Sequence, residues 1–191
     1  MRLGSLIETK VGLNTRELKK MSNVTYYLKK FADNDLLLGY RPNSSKVSCN
    51  DEFVTAGDII INSTTNEATI VSPLNEGKIL TQASIKIIIR DPQQLDLWYL
   101  CYLFNGSQII KKQIYSLVEG TVLRRITQSN IQDLDIPVIS LEEQKRIGES
   151  YRIFMVRKRL RIHREEEEQK AIFNFLEKKI TYVKKGNKDE Y

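Results

Sequence analysis

The stretch Gly120-Thr-Val-Leu-Arg-Arg-Ile-Thr-Gln-Ser-Asn-Ile-Gln-Asp-Leu-Asp-Ile-Pro-Val-Ile-Ser-Leu-Glu-Glu-Gln-Lys-Arg-Ile147 decides the fold. A glycine turn leads into an arginine pair, then a short apolar segment over 135–139 reads as a strand around Pro137. Ser129 is expected to cap one helical turn before it. Ser140 and Glu143 form a capping-box pattern, in which the hydroxyl takes an amide hydrogen of the first turn and the carboxylate reaches back. No proline follows, so a helix is predicted from Leu141 to about Tyr182, roughly 60 Å at about 1.5 Å per residue. The division is therefore a module over 1–140, a long helix over 141–183 and a disordered tail over 184–191.

Upstream of Ser140 the periodicity switches repeatedly. Met1–Leu6 and Tyr26–Phe31 carry short apolar or aromatic runs, and the charged stretch from Asn14 to Met21 is ambiguous. Arg41-Pro-Asn-Ser-Ser45 has turn chemistry. Gly57-Asp-Ile-Ile-Ile-Asn62 reads as a turn and a buried strand, followed by a polar connection, a strand at Ala68–Val71 and an isoleucine-rich strand at Ser84–Arg90. From Leu95 the period becomes helical, with Leu95, Trp98, Tyr99, Tyr102 and Leu103 on one face and Gly106 at the C-terminal cap. A second helix is expected over Ser107–Val118. The fold class is α/β in the α+β sense: a small mixed sheet with helices, then one long helix built for an antiparallel coiled coil.

Composition narrows the function. The 191 residues carry a formal charge of +6 and a pI near 9.2, which suits a polyanionic partner without requiring one. No apolar run is long enough for a membrane span, no signal-like start is seen, and the two cysteines, Cys49 and Cys101, lie outside any CxxC pattern; a cytoplasmic location with free thiols is expected. His163 has no metal-ligating neighbour in sequence. The four prolines stand apart, so no Asx-Pro-Pro-aromatic pocket for a flipped base exists, and there is no glycine-rich phosphate loop.

The long helix has apolar residues near its start (Ile147, Tyr151, Phe154, Met155) and its finish (Ile172, Phe173, Leu176, Ile180), with Ile162 between them. Its middle runs from basic (Arg157, Lys158, Arg159, Arg161, Arg164) to acidic (Glu165–Glu168). Parallel self-pairing sets like charges together, whereas antiparallel pairing sets opposite charges together and lets Ile147 and Tyr151 meet Leu176 and Ile172. A homodimer with one module at each end is predicted, its interface comprising Ile147, Tyr151, Phe154, Met155, Ile162, Ile172, Leu176 and Ile180.

Leu3-Gly4 with Gly12, Gly57-Asp-Ile-Ile-Ile61, Leu95-Asp-Leu-Trp-Tyr-Leu100 and above all the junction Gly120, Ile136-Pro137 and Leu141-Glu-Glu-Gln144 resemble the specificity subunits of type I restriction–modification enzymes. Members of that family usually carry two target-recognition domains and two spacer helices; this chain has one of each, and self-pairing would supply the other half. The resemblance implies a non-catalytic subunit that reads duplex DNA and docks a methyltransferase subunit and, for cleavage, a restriction subunit that translocates DNA. It places S-adenosylmethionine, ATP and Mg²⁺ in those partners and no cofactor or metal in this chain. The implied target is a bipartite palindrome, its inverted half-sites about one helical turn apart.

Reading bases takes side chains that donate and accept at base edges, with cations on phosphates. The polar loops offer Arg41, Asn43, Ser44, Ser45 and Lys46; Asn62, Ser63, Thr64, Thr65 and Asn66; Lys78, Thr81 and Gln82; and Thr121, Arg124 and Arg125. Two rival readings carry different expectations. Asp58 with Glu76-Gly-Lys78 matches the short Asp…Glu-x-Lys pattern of Mg²⁺-dependent nucleases, and the long helix alone would suit a coiled-coil adaptor that never binds DNA.

Overall fold

The computed structural model describes residues 1–14, 16, 24–42, 52–119 and 125–180, and the backbone of 181–186. Strands β1 (Ile7–Val11), β2 (Ile59–Asn62), β3 (Ala68–Ile70) and β4 (Ser84–Ile89) form one sheet in the order β1-β4-β2-β3, antiparallel throughout. Helix α1 (Lys29–Leu38) precedes β2; α2 (Leu97–Asn105), α3 (Gln108–Val118) and α4 (Gln128–Asp133) follow β4; α5 (Leu141–Gly186) completes the described chain.

The register explains the burial. Ile59 and Ile61 of β2 face Ile87 and Ile85 of β4, and all four point into the main core with Ile70, Trp98, Leu100 and Leu103. Ile60 points the other way, toward Tyr27, Val54, Val71 and Leu80. Both faces of the central strands are therefore covered, which matches their continuous isoleucine runs. One position on the second face is charged: Lys86 is 1% exposed, and its ammonium lies 2.7 Å from Asp58 and donates to the Phe53 carbonyl at 3.0 Å. A pair this buried tolerates removal of neither partner.

Helix α1 turns on a second buried polar group. Asp35 is fully buried and accepts hydrogen bonds from Tyr27 Oη (2.7 Å), Asn75 Nδ2 (2.7 Å) and Ser72 Oγ (2.5 Å). This ties α1 to the loop after β3. Burial, reinforced by the Asp35 carboxylate, pushes the Tyr27 phenol well above its usual range. The helix ends at Gly39, whose left-handed conformation (φ 65°) closes it; a Cβ there would lie 2.5 Å from Val156 of α5.

Several expectations change. Neither β1 nor α1 is among the elements read from the sequence. Thr127, not Ser129, caps α4: its hydroxyl accepts from the Asn130 amide while the Asn130 side chain accepts from the Thr127 amide. The expected strand over 135–139 reduces to one bridge between Arg2 and Asp135, because Pro137 has no amide to extend a ladder. Ser140 accepts from the Glu143 amide at 3.3 Å as predicted, but the Glu143 carboxylate pairs forward with Arg146. Cys101 is a buried free thiol whose pKa is raised by burial; Cys49 lies outside the described residues.

At 46 residues α5 is about 70 Å long. Its first four turns belong to the module. Gly148 lies so close to the start of α2 that a Cβ would meet Asp96 Oδ1 at 2.5 Å and the Tyr99 amide nitrogen at 2.6 Å. Asp96 caps α2, accepting from the Trp98 and Tyr99 amides at 3.0 and 2.9 Å. Gln144 of α5 accepts from the Asp96 amide and donates to the Gln94 and Ile139 carbonyls. Replacing Gly148 with alanine forces α5 away from α2 and is expected to destabilise the protein by about 1–3 kcal/mol. Denaturant titration followed by Trp98 fluorescence measures it; an unchanged midpoint would refute the close-packed account.

Candidate nucleic-acid interface

The far end of β2 and β4 brings together three of the polar segments picked from the sequence. The Ser63 amide and hydroxyl both donate to the Ala83 carbonyl at 2.9 Å, and the Ser63 carbonyl accepts from the Ile126 amide at 3.0 Å. The turn after β2, the turn before β4 and the segment entering α4 therefore lie side by side. Thr64, Gln82 and Arg125 are among the exposed side chains of that group. The Gln82 amide also donates to the Leu13 carbonyl at 2.9 Å, which brings Leu13 alongside, three residues before Arg16. Arg16 is exposed there, its amide bonded to Asn14 Oδ1. Sequence reasoning passed over this cation; its signal was the cluster of Arg16, Lys19 and Lys20 in the stretch left ambiguous.

The remaining candidates divide by what already holds them. Asn62 turns its carboxamide oxygen onto the Thr64 and Thr65 amides, which makes it the organiser of the turn. Ser63 is buried, and its hydroxyl is taken by Ala83. Thr65 is exposed, and Asn66 adopts φ 60° beside it. Glu67 anchors the turn to α1 through Lys29 at 3.0 Å; burial pushes the Glu67 pKa up, but hydrogen bonds from Lys29 and Thr65 together with the charges of Lys29 and Lys158 bring the net shift downward. Lys78 stands apart, its ammonium 4.8 Å from the Phe31 ring centre. Asn43, Ser44, Ser45, Lys46, Thr121 and Arg124, with Gly120, lie outside the described residues.

Arg41 serves the fold. Its guanidinium lies 3.0 Å from Asp96 and 3.6 Å from Glu149 of α5, a position that joins the end of α1, the start of α2 and the root of α5. Arg152 completes this polar seam, with two bonds to Glu149 at 2.6 and 2.9 Å and one to the Gly39 carbonyl at 3.1 Å. The Arg152 hydrogen bond holds the Glu149 carboxyl below the usual carboxylate range. Arg41 was expected at DNA; these contacts place it at the helix joint instead.

The long helix also sorts its apolar residues. Met155 is buried in the main core, and Ile147 and Tyr151 pack against it, with the Tyr151 ring 6.1 Å from Trp98 and 5.9 Å from Tyr102. These three were expected on a dimer seam and are instead turned into the chain's own module, because α2 presents an aromatic face to them. Phe154, Ile162, Ile172, Leu176 and Ile180 remain exposed, as do Phe173 and Phe175. No helix among the described residues is long and apolar enough to cross a membrane.

The nuclease pattern fares differently. Asp58 points to Lys86 and accepts from the Thr55 amide at 2.7 Å, while Glu76 is an exposed loop residue. Among the described residues no group of acidic, histidine or cysteine side chains is arranged to hold a metal ion.

Comparison with known proteins bears on this arrangement. The family model described as type I restriction modification DNA specificity domain matches residues 3–151, from the first turn through the root of α5. The chain belongs to that family. A putative type I specificity subunit of Mycoplasma pneumoniae is 30% identical over 77 residues, 40% of this chain and 20% of that protein. A solved structure reported for complex assembly and conformational transition of the type I R-M system shares the fold, with a TM-score of 0.57 at 17% identity over 92% of this chain and 42% of that one. The S subunit of M. genitalium is also similar, at 20% identity over 78% of this chain and 37% of that one with a TM-score of 0.49. The chain thus spans less than half the length of the relatives it matches.

Asp58→Asn removes the carboxylate charge 2.7 Å from the buried Lys86 ammonium and is expected to cost about 3–5 kcal/mol of stability, readable as a lowered thermal midpoint. Wild-type protein incubated with supercoiled plasmid and Mg²⁺ should leave it intact; nicking that Asp58→Asn abolishes in still-folded protein would reinstate the metal-site reading.

Proposed function

We propose that this chain is a DNA-reading subunit of a type I restriction–modification assembly, working as a homodimer whose two modules contact inverted halves of one site. The observation that carries this reading is the family match over 3–151, which spans both the module and the point where α5 leaves it. The cluster of Thr64, Gln82, Arg125 and Arg16 at the sheet end supports the site: it combines hydroxyl and carboxamide groups able to meet base edges with cations suited to phosphates.

The dimer reading draws on α5. Towards its far end the helix keeps five large apolar side chains exposed between Ile172 and Ile180. In the antiparallel arrangement that its charge blocks favour, Arg159 and Arg161 of one helix lie level with Glu168 and Glu166 of the other. Docking of methyltransferase and restriction subunits, which would bring S-adenosylmethionine, ATP and Mg²⁺, belongs to the same proposal. A cytoplasmic location fits it.

Co-expression with a type I methyltransferase subunit and mapping of methylated bases across a genome tests the whole reading. The expected outcome is modification at a split, inverted target that disappears without this chain; a single asymmetric target would refute the homodimeric reader. For the interface itself, Arg125→Ala is expected to lose about 1–3 kcal/mol of discrimination, the worth of one bidentate base contact. Competition binding between cognate and single-mismatch duplexes in the assembled complex reads it out, and unchanged discrimination removes Arg125 from the site.

A further inference from the structure

Lys30 and Lys78 come from different parts of the chain and meet over one ring. Their ammonium groups lie 5.0 and 4.8 Å from the centre of Phe31. Phe31 packs in turn against the cluster of Tyr27, Val54 and Leu80, so the ring is supported from beneath. An aromatic face holds a cation in place without neutralising it. Among the described residues neither lysine has a carboxylate within ion-pair distance, whereas the adjacent Lys29 has two, Asp33 and Glu67. Lys30 also lies in the first turn of α1, which has no acidic residue and no side-chain cap, although the positive end of a helix disfavours cations. Two like charges are thus kept together where their own surroundings oppose them.

Both lysines are mounted on fixed backbone. The Gly77 amide donates to the Val54 carbonyl and the Val54 amide donates to the Lys78 carbonyl, each at 2.8 Å. Just before them, Ser72 and Asn75 donate to the buried Asp35 carboxylate at 2.5 and 2.7 Å. Asp35 belongs to α1, the helix that carries Lys30. One buried carboxylate therefore sets the supports of the two lysines relative to each other. The chain then runs from Lys78 directly to the candidate interface, with Ile79 bridged to Phe53 and Tyr26 and Thr81 bridged to Leu13. Lys78 and Gln82 are four residues apart, a reach of at most about 14 Å. A duplex lying on Thr64, Gln82 and Arg125 rises about 3.4 Å per base pair, so the lysine pair falls within about four base pairs of the bases met there.

We infer that Lys30 and Lys78, seated on Phe31, form an anchor for the phosphodiester backbone beside the bases read at the sheet end. Lysine ammonium groups are compact point charges with donors only, suited to phosphate oxygens. Phosphate contacts fix the register and orientation of a protein on the duplex and carry no sequence information. The anchor supplies affinity and alignment, while Thr64, Gln82 and Arg125 supply choice of base. The inference rests on the DNA-reading proposal and deepens it, by separating a part of the module that holds the duplex from the part that reads it.

Salt titration of duplex binding by the full chain assembled with a type I methyltransferase subunit tests it, read by anisotropy of a labelled cognate duplex. Each phosphate contact contributes about 0.9 to the slope of log affinity against log salt. Lys30→Ala combined with Lys78→Ala should lower that slope by about 1.8 per module and weaken binding about ten-fold or more. The affinity ratio between cognate and single-mismatch duplexes should stay the same, and Lys30→Arg with Lys78→Arg should keep the wild-type slope. Neutral methylphosphonates placed singly within about four base pairs of a half-site should weaken the wild type at one or two positions and leave the alanine pair unaffected there. An unchanged slope in an alanine pair with the wild-type thermal midpoint overturns the anchor, as does the absence of any such phosphonate position. A changed mismatch ratio moves the lysines into the reading site and overturns their separate role. Loss of the methyltransferase subunit on gel filtration assigns them to an acidic protein surface instead. A wild-type complex without salt-dependent duplex binding overturns the DNA-reading proposal itself.

Discussion

The close approach of α5 to the start of α2 is the constraint from which the rest of the structure follows. Only a residue without a side chain fits at position 148, because Asp96 and the first amides of α2 occupy the space a Cβ would need. Asp96 has three roles at this point: it caps α2, it faces the Arg41 guanidinium, and its amide is held by Gln144. Around this polar centre the aromatic residues Trp98, Tyr102 and Tyr151 pack together, Tyr102 edge-on to Tyr151 and Trp98 tilted against it. A helix joined to a module by a flexible tether would carry no geometric information; one seated through glycine contact, carboxylate cap and ion pair does.

The sheet shows how a small module can present many polar side chains and remain stable. Its central strands are buried on both faces, so their stability does not rest on the turns at their ends. Asn62 and Ser63 hold those turns by side-chain bonds to nearby backbone, leaving Thr64 and Gln82 exposed. The buried Lys86–Asp58 pair contributes differently. It offers little net stabilisation against an apolar pair, but it ties β4 to the start of β2 and to Phe53, so that a register slip would strand a charge in the core.

Legibility from the sequence followed the strength of local signals. Strands β2, β3 and β4, helices α2 and α3 and the start of α5 were readable because isoleucine runs, helical spacing and caps agree there. Strand β1 was not, since Ile-Glu-Thr-Lys-Val alternates weakly and gains its place only by pairing with β4. Helix α1 escaped because its polar face and the buried Asp35 make it look like a loop; two of the three donors to that carboxylate lie 37 and 40 residues away. At the site, the turns were visible but the roles within them were not. Nothing local distinguishes Ser63, buried on Ala83, from exposed Thr64, or marks Arg41 as a partner of Asp96, 55 positions further on. The apolar stripe of α5 was legible as a stripe, but where the module stops covering it is a tertiary fact.

The unsupported part of α5 also acts as a lever arm. About 30 residues project beyond Val156, or roughly 45 Å of helix, so a tilt of about 5° at the joint carries the far end sideways by roughly 4 Å, comparable to one step between successive Cα atoms. Angular play too small to disturb any single bond near Gly148 is thereby magnified into a shift of a whole residue at the tip. Rigidity at the pivot fixes distances far away, and the smallest side chain in the helix is the one on which that rigidity turns.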